Sequence, residues 1–313
     1  MSAGPQPGNT APHRAGFVGI AGRPNTGKST LLNALIGEKL AITAPHPQTT
    51  RTAIQGVLTL PEAQIVFTDT PGIHKSDTLF NKRMMDAIRT AIRDRDLVLY
   101  VADASRTVSE DDEHAVAALA RSEKAILVLN KIDRVEDKRL LLPVIQRYME
   151  LFPFVEAVPV SARTRDGLDE LTRAIIRYLP EGPPLFDRDY LTDQPMRFLA
   201  AELIRESILR AAKAEVPHAA AVLVEDWQEI PGLVKIAATI HVERPGQKTI
   251  LIGARGAMLK KIGTEARKAL EERLGRKVFL ALHVKVKPGW REDAAFLDAI
   301  DWHSMVGSEK TVT

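Results

Sequence analysis

The chain has 313 residues, 45% of them hydrophobic and 27% charged, a composition of ordinary soluble proteins and a length sufficient for two domains with a sizeable core each. It contains no Cys, which excludes disulfides, thiolate metal sites and a Cys nucleophile, and no apolar run approaches the length of a membrane span. The net charge of +3 is unevenly divided: residues 197–291 hold 18 Lys and Arg against 10 Asp and Glu, so that half is basic and the remainder acidic, an asymmetry that points to a polyanionic partner.

Residues 1–15 are rich in Pro and Gly without an apolar centre, which predicts a disordered tail rather than a signal peptide. Phe17 to Ile20 reads as a short buried strand. It leads into Gly22-Arg23-Pro24-Asn25-Thr26-Gly27-Lys28-Ser29-Thr30, a phosphate-loop pattern. A loop that cradles a triphosphate must turn its N–H groups inward, and Gly22 and Gly27 permit the turns and the close approach. Lys28 is placed to supply charge to the β- and γ-phosphates, and the Ser29 hydroxyl to ligate Mg²⁺ at the start of a helix through Leu31, Leu32, Leu35 and Ile36. Gly37 suits the end of that helix.

Residues 45–51 are polar and Pro-broken, hence a loop, lying where a nucleotide-sensing segment presents a hydroxyl to Mg²⁺ and the γ-phosphate. Residues 53–60 and 63–68 predict a hairpin running into Asp69-Thr70-Pro71-Gly72. Alone, that motif reads as a turn. After a phosphate loop, Asp69 is placed to hold Mg²⁺ through water and Gly72 to offer an N–H to the γ-phosphate. Helical spacing follows over Leu79–Ile92, then a strand over 97–101 ending at Asp103, a helix over 111–120 and a buried strand over 125–129. The alternation predicts a mostly parallel sheet with helices on both faces and its site at the carboxyl ends of the strands.

The last of those strands delivers Asn130-Lys131-Ile132-Asp133. A carboxylate at Asp133 accepts from guanine N1–H and the exocyclic amine together, donors that adenine lacks; leaving it unpaired costs on the order of 1–3 kcal/mol, the basis for rejecting ATP. The Lys131 stem covers the base plane, and Asn130 ties the motif to the phosphate loop. After a strand over 155–160, a backbone N–H of Ser161-Ala162-Arg163 is placed to read guanine O6, although Ser-Ala alone reads more simply as a helix cap.

The order and spacing of these motifs over 16–179 resemble the translation-factor class of phosphate-loop GTPases, and Asn25, Gln48-Thr49-Thr50-Arg51 and Asp69-Thr70-Pro71-Gly72-Ile73 resemble the Era family of ribosome-assembly GTPases. The resemblance implies GTP/GDP and Mg²⁺ as ligands, with Ser29, Thr50 and Asp69 at the metal, Thr49 as the alternative switch threonine, and Lys28, Thr50 and Gly72 carrying catalysis. Ile73 stands where signalling GTPases carry a water-orienting Gln, and an isoleucine cannot polarise water. Slow intrinsic hydrolysis is therefore expected, accelerated by a partner or by K⁺ held near Asn25, an expectation set against Asn25 as a plain turn residue.

Residues 180–196 read as a linker. Helical spacing resumes over 197–214, and 219–225 and 234–242 alternate like antiparallel strands. Ile252-Gly253-Ala254-Arg255-Gly256 then precedes a helix with Met258, Leu259, Ile262, Ala266 and Leu270 on one face, and a strand spans 278–286. Gly-x-x-Gly alone is a weak signal. With Lys248, Arg255, Lys260, Lys261, Arg267 and Lys268 around it, the segment resembles the type II K-homology domain of the Era family, which implies a single-stranded RNA clamp at Ile252, Gly253, Ala254, Arg255, Gly256, Lys260 and Lys261. Residues 249–252 are locally strand-like where the family has a short helix, and periodicity leaves the choice open. Residues 292–313 are read as a variable tail.

The expected fold is thus an α/β P-loop GTPase domain plus a smaller α+β type II K-homology domain at 197–291. The resemblance implies a monomer acting on the 3′ end of small-subunit (16S) rRNA during assembly of the small ribosomal subunit in the cytoplasm. Peripheral association with the inner face of the membrane is also a property of the family, and no amphipathic anchor argues for it. Three rivals stand beside this reading: another ribosome-associated or RNA-modifying GTPase, a non-enzymatic RNA-binding protein with a structural nucleotide domain, and an ATPase.

Overall fold

The computed structural model describes residues 12–44, 49–72, 78–93, 95–119, 124–212 and 216–301. Outside them lie Pro45 to Gln48 of the nucleotide-sensing loop, Ile73, and most of both predicted tails.

In chain order the first half runs β1 (Arg14–Ala21), α1 (Lys28–Ile36), β2 (Ile54–Thr59), β3 (Ala63–Asp69), α2 (Leu79–Ile92), β4 (Leu97–Asp103), α3 (Glu110–Val116), β5 (Ala125–Asn130), α4 (Leu141–Leu151), β6 (Glu156–Pro159) and α5 (Leu168–Tyr178). Among the described residues these strands form one six-stranded sheet, β2-β3-β1-β4-β5-β6, in which only the β2–β3 pair is antiparallel. β3, β4 and β5 are buried almost throughout, as expected when helices cover both faces. One apolar layer packs Leu31, Leu35 and Ile175 on Val18, Ile20 and Leu99. The other packs Val116, Leu119 and Tyr148 on Tyr100, Leu127 and Leu129.

The second half continues with α6 (Met196–Ala211), α7 (Val216–Ala219), β7 (Ala221–Ile230), β8 (Leu233–Val242), α8 (Pro245–Ile252), α9 (Ala257–Leu274), β9 (Lys277–Val286) and α10 (Ala294–Ile300). Its sheet is β7-β8-β9, antiparallel then parallel. α6 and α9 cover one face of it, with Ile204, Ile208, Ile262 and Ala266 fully buried.

Several boundaries differ from the sequence reading. β1 starts inside the predicted tail, because Arg14 and Ala15 pair with Ala63 and Gln64 of β3. The linker is strapped to the first domain: the Leu185 and Phe186 N–H groups donate to Gln64 Oε1 at 2.6 and 2.8 Å, and Val57 N–H donates to the Leu191 carbonyl at 2.9 Å. The strand predicted from Ala219 begins at Ala221, since Val216–Ala219 closes a helical turn first. Residues 249–252 end a helix, not a strand; Pro245 at its first turn pre-sets φ and sacrifices no hydrogen bond.

The reading of 292–313 as a tail is corrected for its first part. α10, capped by Asp293 on the Phe296 N–H, buries Phe296 and Leu297 against Trp290 and against Phe80 and Met84 of α2. This cluster joins the two halves, and a second one seats Ile42 among Leu199, Ala200 and Leu203 of α6. Among the described residues no helix is long and apolar enough to cross a membrane.

Candidate nucleotide and RNA sites

The phosphate loop joins β1 to α1 at the carboxyl edge of the sheet. Gly22 (φ 141°) passes so close to Val101 that a Cβ would lie 2.3 Å from its carbonyl oxygen, and at Gly27 (φ 97°) a Cβ would lie 2.4 Å from Asn130 Nδ2. Only glycine fits either place. Lys28 is buried and folds back on its own loop, donating to the Gly22 and Arg23 carbonyls at 3.1 and 3.0 Å. Burial lowers its ammonium to about 8, with Asp69 pulling the other way. A polyphosphate beside it would raise it again.

Three separate elements converge on one point ahead of Lys28. Ser29 Oγ of α1 donates to Asp69 Oδ2 of β3 at 2.6 Å and lies 2.7 Å from Thr50 Oγ1, which donates to the same oxygen at 3.2 Å. Thr49 turns its hydroxyl to the Ala44 carbonyl instead. Asp69 is fully buried, and burial pushes its carboxyl up against the opposing effects of Lys28, Ser29, Thr50 and the Thr70 backbone; its Oδ1 has no hydrogen-bond partner. Two hydroxyls and a buried carboxylate with a spare oxygen form a hard donor set that suits Mg²⁺ completed by phosphate and water. Among the described residues no cluster of three or more His, Asp or Glu could hold a metal without such help. Gly72 packs directly on Pro24, where a Cβ would lie 2.8 Å from the backbone.

At the other end of the loop, Asn130 Nδ2 donates to the Thr26 carbonyl at 2.9 Å while its Oδ1 accepts from the Lys131 and Ala162 N–H groups. Asn130 thus ties together three of the predicted motifs. Lys131, in a left-handed conformation, donates to the Asn25 carbonyl at 2.5 Å and to Asp103 Oδ2 at 2.7 Å. Asp133 Oδ1 accepts from Ser161 Oγ at 2.7 Å, and exposed Arg163 stands 3.9 Å from Oδ2. Asn25 is itself left-handed (φ 63°) and exposed. Thr26 is buried on the Arg23 carbonyl at 3.0 Å, and Thr30 lines the cleft beside Ser29.

Arg23 differs from its neighbours: its side chain leaves the cleft for Asp111 and Asp112 of α3, both at 2.7 Å, so only its backbone serves the loop. Asp103, Asp111 and Asp112, which brace Lys131 and Arg23, were given no role at the site in the sequence reading. Asp103 closing a strand beside the phosphate loop was the available signal.

The family model described as 50S ribosome-binding GTPase matches residues 17–131, and the KH domain model matches 215–291. GTPase Era from Geobacter metallireducens is 49% identical over 93% of this chain and 98% of its own length, and that from Lactobacillus delbrueckii subsp. bulgaricus is 46% identical over 94% and 98%. The chain belongs to the Era family of GTPases. Solved Era structures superpose over both halves: a point variant of the Aquifex aeolicus protein bound to GDP·AlF4⁻ (TM-score 0.89, 38% identity, 92% of this chain and 99% of that one), and Era in complex with MgGDPNP and nucleotides 1506–1542 of 16S ribosomal RNA (0.90, 38%, 93% and 99%).

In this Era-family chain the Gly-x-x-Gly turn lies between α8 and α9. Gly253 (φ 71°) has no room for a Cβ, which would lie 2.7 Å from Met258 Cβ; Gly256 (φ 78°) faces open space. Arg255 is left-handed (φ 51°), and Ala254, Arg255, Lys260 and Lys261 are exposed. Ile252 is half-buried. A groove of about 420 Å³ runs on from Gly256 between α9 and β9, past Lys260, Gly263, Thr264, Arg267, Leu280 and Leu282. Lys261 is not on its wall. The sequence reading counted Arg267 only as a nearby basic residue and missed Gly263 and Thr264, although all three follow Lys260 on one helix face, at seven, three and four residues.

Proposed function

We propose that this GTPase is a switch in which the γ-phosphate of GTP sets how the KH domain holds single-stranded RNA, the 3′ end of small-subunit rRNA, during assembly of the small ribosomal subunit in the cytoplasm. The observation that carries it is the meeting of Ser29, Thr50 and Asp69, because Thr50 belongs to a loop whose flanks also touch the KH domain. The RNA identity follows from an Era structure at 38% identity that holds nucleotides 1506–1542 of 16S rRNA.

In this reading Ser29, Thr50 and Asp69 hold Mg²⁺, which when bound neutralises charge on the β- and γ-phosphates. Lys28 exchanges its two loop carbonyls for phosphate oxygens, and Gly72 presents its N–H to the γ-phosphate. Asp133 pairs with the guanine edge, and Asn130 holds the base-reading loops to the phosphate loop. A backbone N–H of the Ser161-Ala162-Arg163 turn reads guanine O6, and the Ala162 N–H, by donating to Asn130 Oδ1, fixes that turn beside Asn130. In the KH domain, RNA phosphates approach the backbone of Gly253 to Gly256, and Lys260 and Arg267 release counterions along the groove.

Hydrolysis is slow in this account, and K⁺ beside exposed Asn25 supplies the missing positive charge at the β–γ bridge. Turnover should be at least several-fold faster in KCl than in NaCl, and Asn25→Ala should abolish the difference; equal rates in both salts would remove K⁺ from the account. The whole reading is tested by multiple-turnover phosphate release with Lys28→Ala as control, run with and without the RNA 3′-end oligonucleotide. A non-enzymatic RNA-binding protein would release no phosphate beyond the control.

A further inference from the structure

We infer that Arg205, a side chain of the KH domain, is a positioning residue for GTP hydrolysis: braced by Glu202, it holds the Thr49 carbonyl and so sets the switch threonine Thr50. This inference rests on the reading of Thr50 given above and adds a residue from the other half of the chain.

The segment leaving α1 is gripped by α6 on both flanks of the undescribed residues 45–48. Before them, Glu206, buried, accepts from Thr43 N–H at 3.1 Å and from Lys39 Nζ at 2.5 Å. After them, Arg205 Nη2 donates to the Thr49 carbonyl. The next peptide plane leads to Thr50, whose hydroxyl lies 2.7 Å from Ser29 Oγ. Because that plane is rigid, fixing the Thr49 carbonyl fixes the direction in which the chain enters Thr50. Arg51, one residue further, donates to the Ala220 carbonyl of the KH domain at 2.7 Å, so Thr50 is held from both sides by that domain.

A purely helical role explains Arg205 poorly. The pair with Glu202, at 2.5 and 2.7 Å, is an i,i+3 contact of the kind that exposed helix surfaces make for little net stability. Here the guanidinium is only 2% exposed, and its Nη1 is buried without a partner. Buried ion pairs are often replaced by well-packed apolar residues of similar volume at no cost in stability. What an apolar residue cannot do is reach across the domain junction and hold a carbonyl of the switch loop.

The test uses the full-length protein with Arg205→Met combined with Glu202→Gln, which avoids stranding a buried carboxylate, and with Arg205→Lys as the conservative replacement. The expected result is a fall in kcat for Mg·GTP of about tenfold or more, the loss of one charge-assisted positioning contact. GDP affinity, RNA-oligonucleotide affinity in the GDP state and folding should stay within about twofold of wild type, since GDP lacks the phosphate that Thr50 senses. Arg205→Lys, able to reach one carbonyl, should recover part of the rate. In a Thr50→Ala background the Arg205 change should add nothing, because both act through one group. Wild-type kcat in the Arg205 variants, or a loss undiminished in the Thr50→Ala background, would overturn the inference. Unchanged kcat in Thr50→Ala alone would overturn the reading of the site and this inference with it.

Discussion

Trp290 is the side chain whose removal tests the domain junction most sharply. It is fully buried, with ring centroids of Phe80 and Phe296 at 5.4 and 5.9 Å, and its Nε1–H donates to the Ala219 carbonyl at 3.0 Å. Arg51 and Arg291 lie 5.9 and 5.2 Å from its ring, so the indole also covers the arginine that follows Thr50. Trp290→Ala leaves a cavity between α2 and α10 and should cost about 3–5 kcal/mol. Trp290→Phe keeps most ring contacts but strands the Ala219 carbonyl, a cost of about 1–3 kcal/mol. Urea unfolding followed by circular dichroism separates the two. Because the lesion sits at the junction, the alanine variant should unfold in two transitions rather than one. An alanine variant as stable as wild type, or a phenylalanine variant as damaged as the alanine one, would refute this account of the junction.

Three further outcomes follow from particular residues. Asp133→Asn should shift nucleotide preference from GTP toward XTP in competition binding, because the carboxylate that Ser161 orients is replaced by a group matching xanthine. Gly253→Ala forces a Cβ to 2.7 Å from Met258 at a left-handed φ, and should weaken RNA binding about tenfold or more while phosphate release without RNA is unchanged. His241, half-buried against Phe296 with neither ring nitrogen paired, is held below its usual value by burial first and then by Lys285, with Glu225 opposing and Lys287 adding to the effect. Between its folded value and about 6.5 the unfolded chain binds the extra proton, so this group's contribution is complete above that window and is lost as pH falls through it. The urea midpoint should therefore drop more steeply between pH 6.5 and 5 in wild type than in His241→Leu.

The nucleotide site was legible because each of its motifs is a local string whose spacing is dictated by a phosphate, a metal or a base. Lys28, Ser29, Asp69, Asn130 and Asp133 could be read without knowing what packs where, and a mostly parallel sheet, though not its strand order, followed from the alternation of strands and helices. Short or context-dependent elements were harder. α8 has eight residues and offered no usable period, and α4, with Val144, Tyr148 and Leu151 at helical spacing, drew no prediction between two stronger motifs. α10 looked like an acidic tail because its buried face is only Phe296 and Leu297, and besides Trp290 what covers them includes Phe80 and Met84 of α2, more than 200 residues earlier. A separation of 156 residues hid Arg205 in the same way. In sequence it is one more arginine three residues after a glutamate, and only the fold carries it to Thr49.

The central claim is that the terminal phosphate of GTP governs RNA binding by the KH domain. Fluorescence anisotropy of a labelled single-stranded oligonucleotide matching the small-subunit rRNA 3′ end, titrated with full-length protein at fixed salt, measures it directly. The account predicts binding about tenfold or more tighter with Mg·GDPNP than with Mg·GDP, the range of an ordinary allosteric coupling. Equal affinity in the two nucleotide states would contradict it.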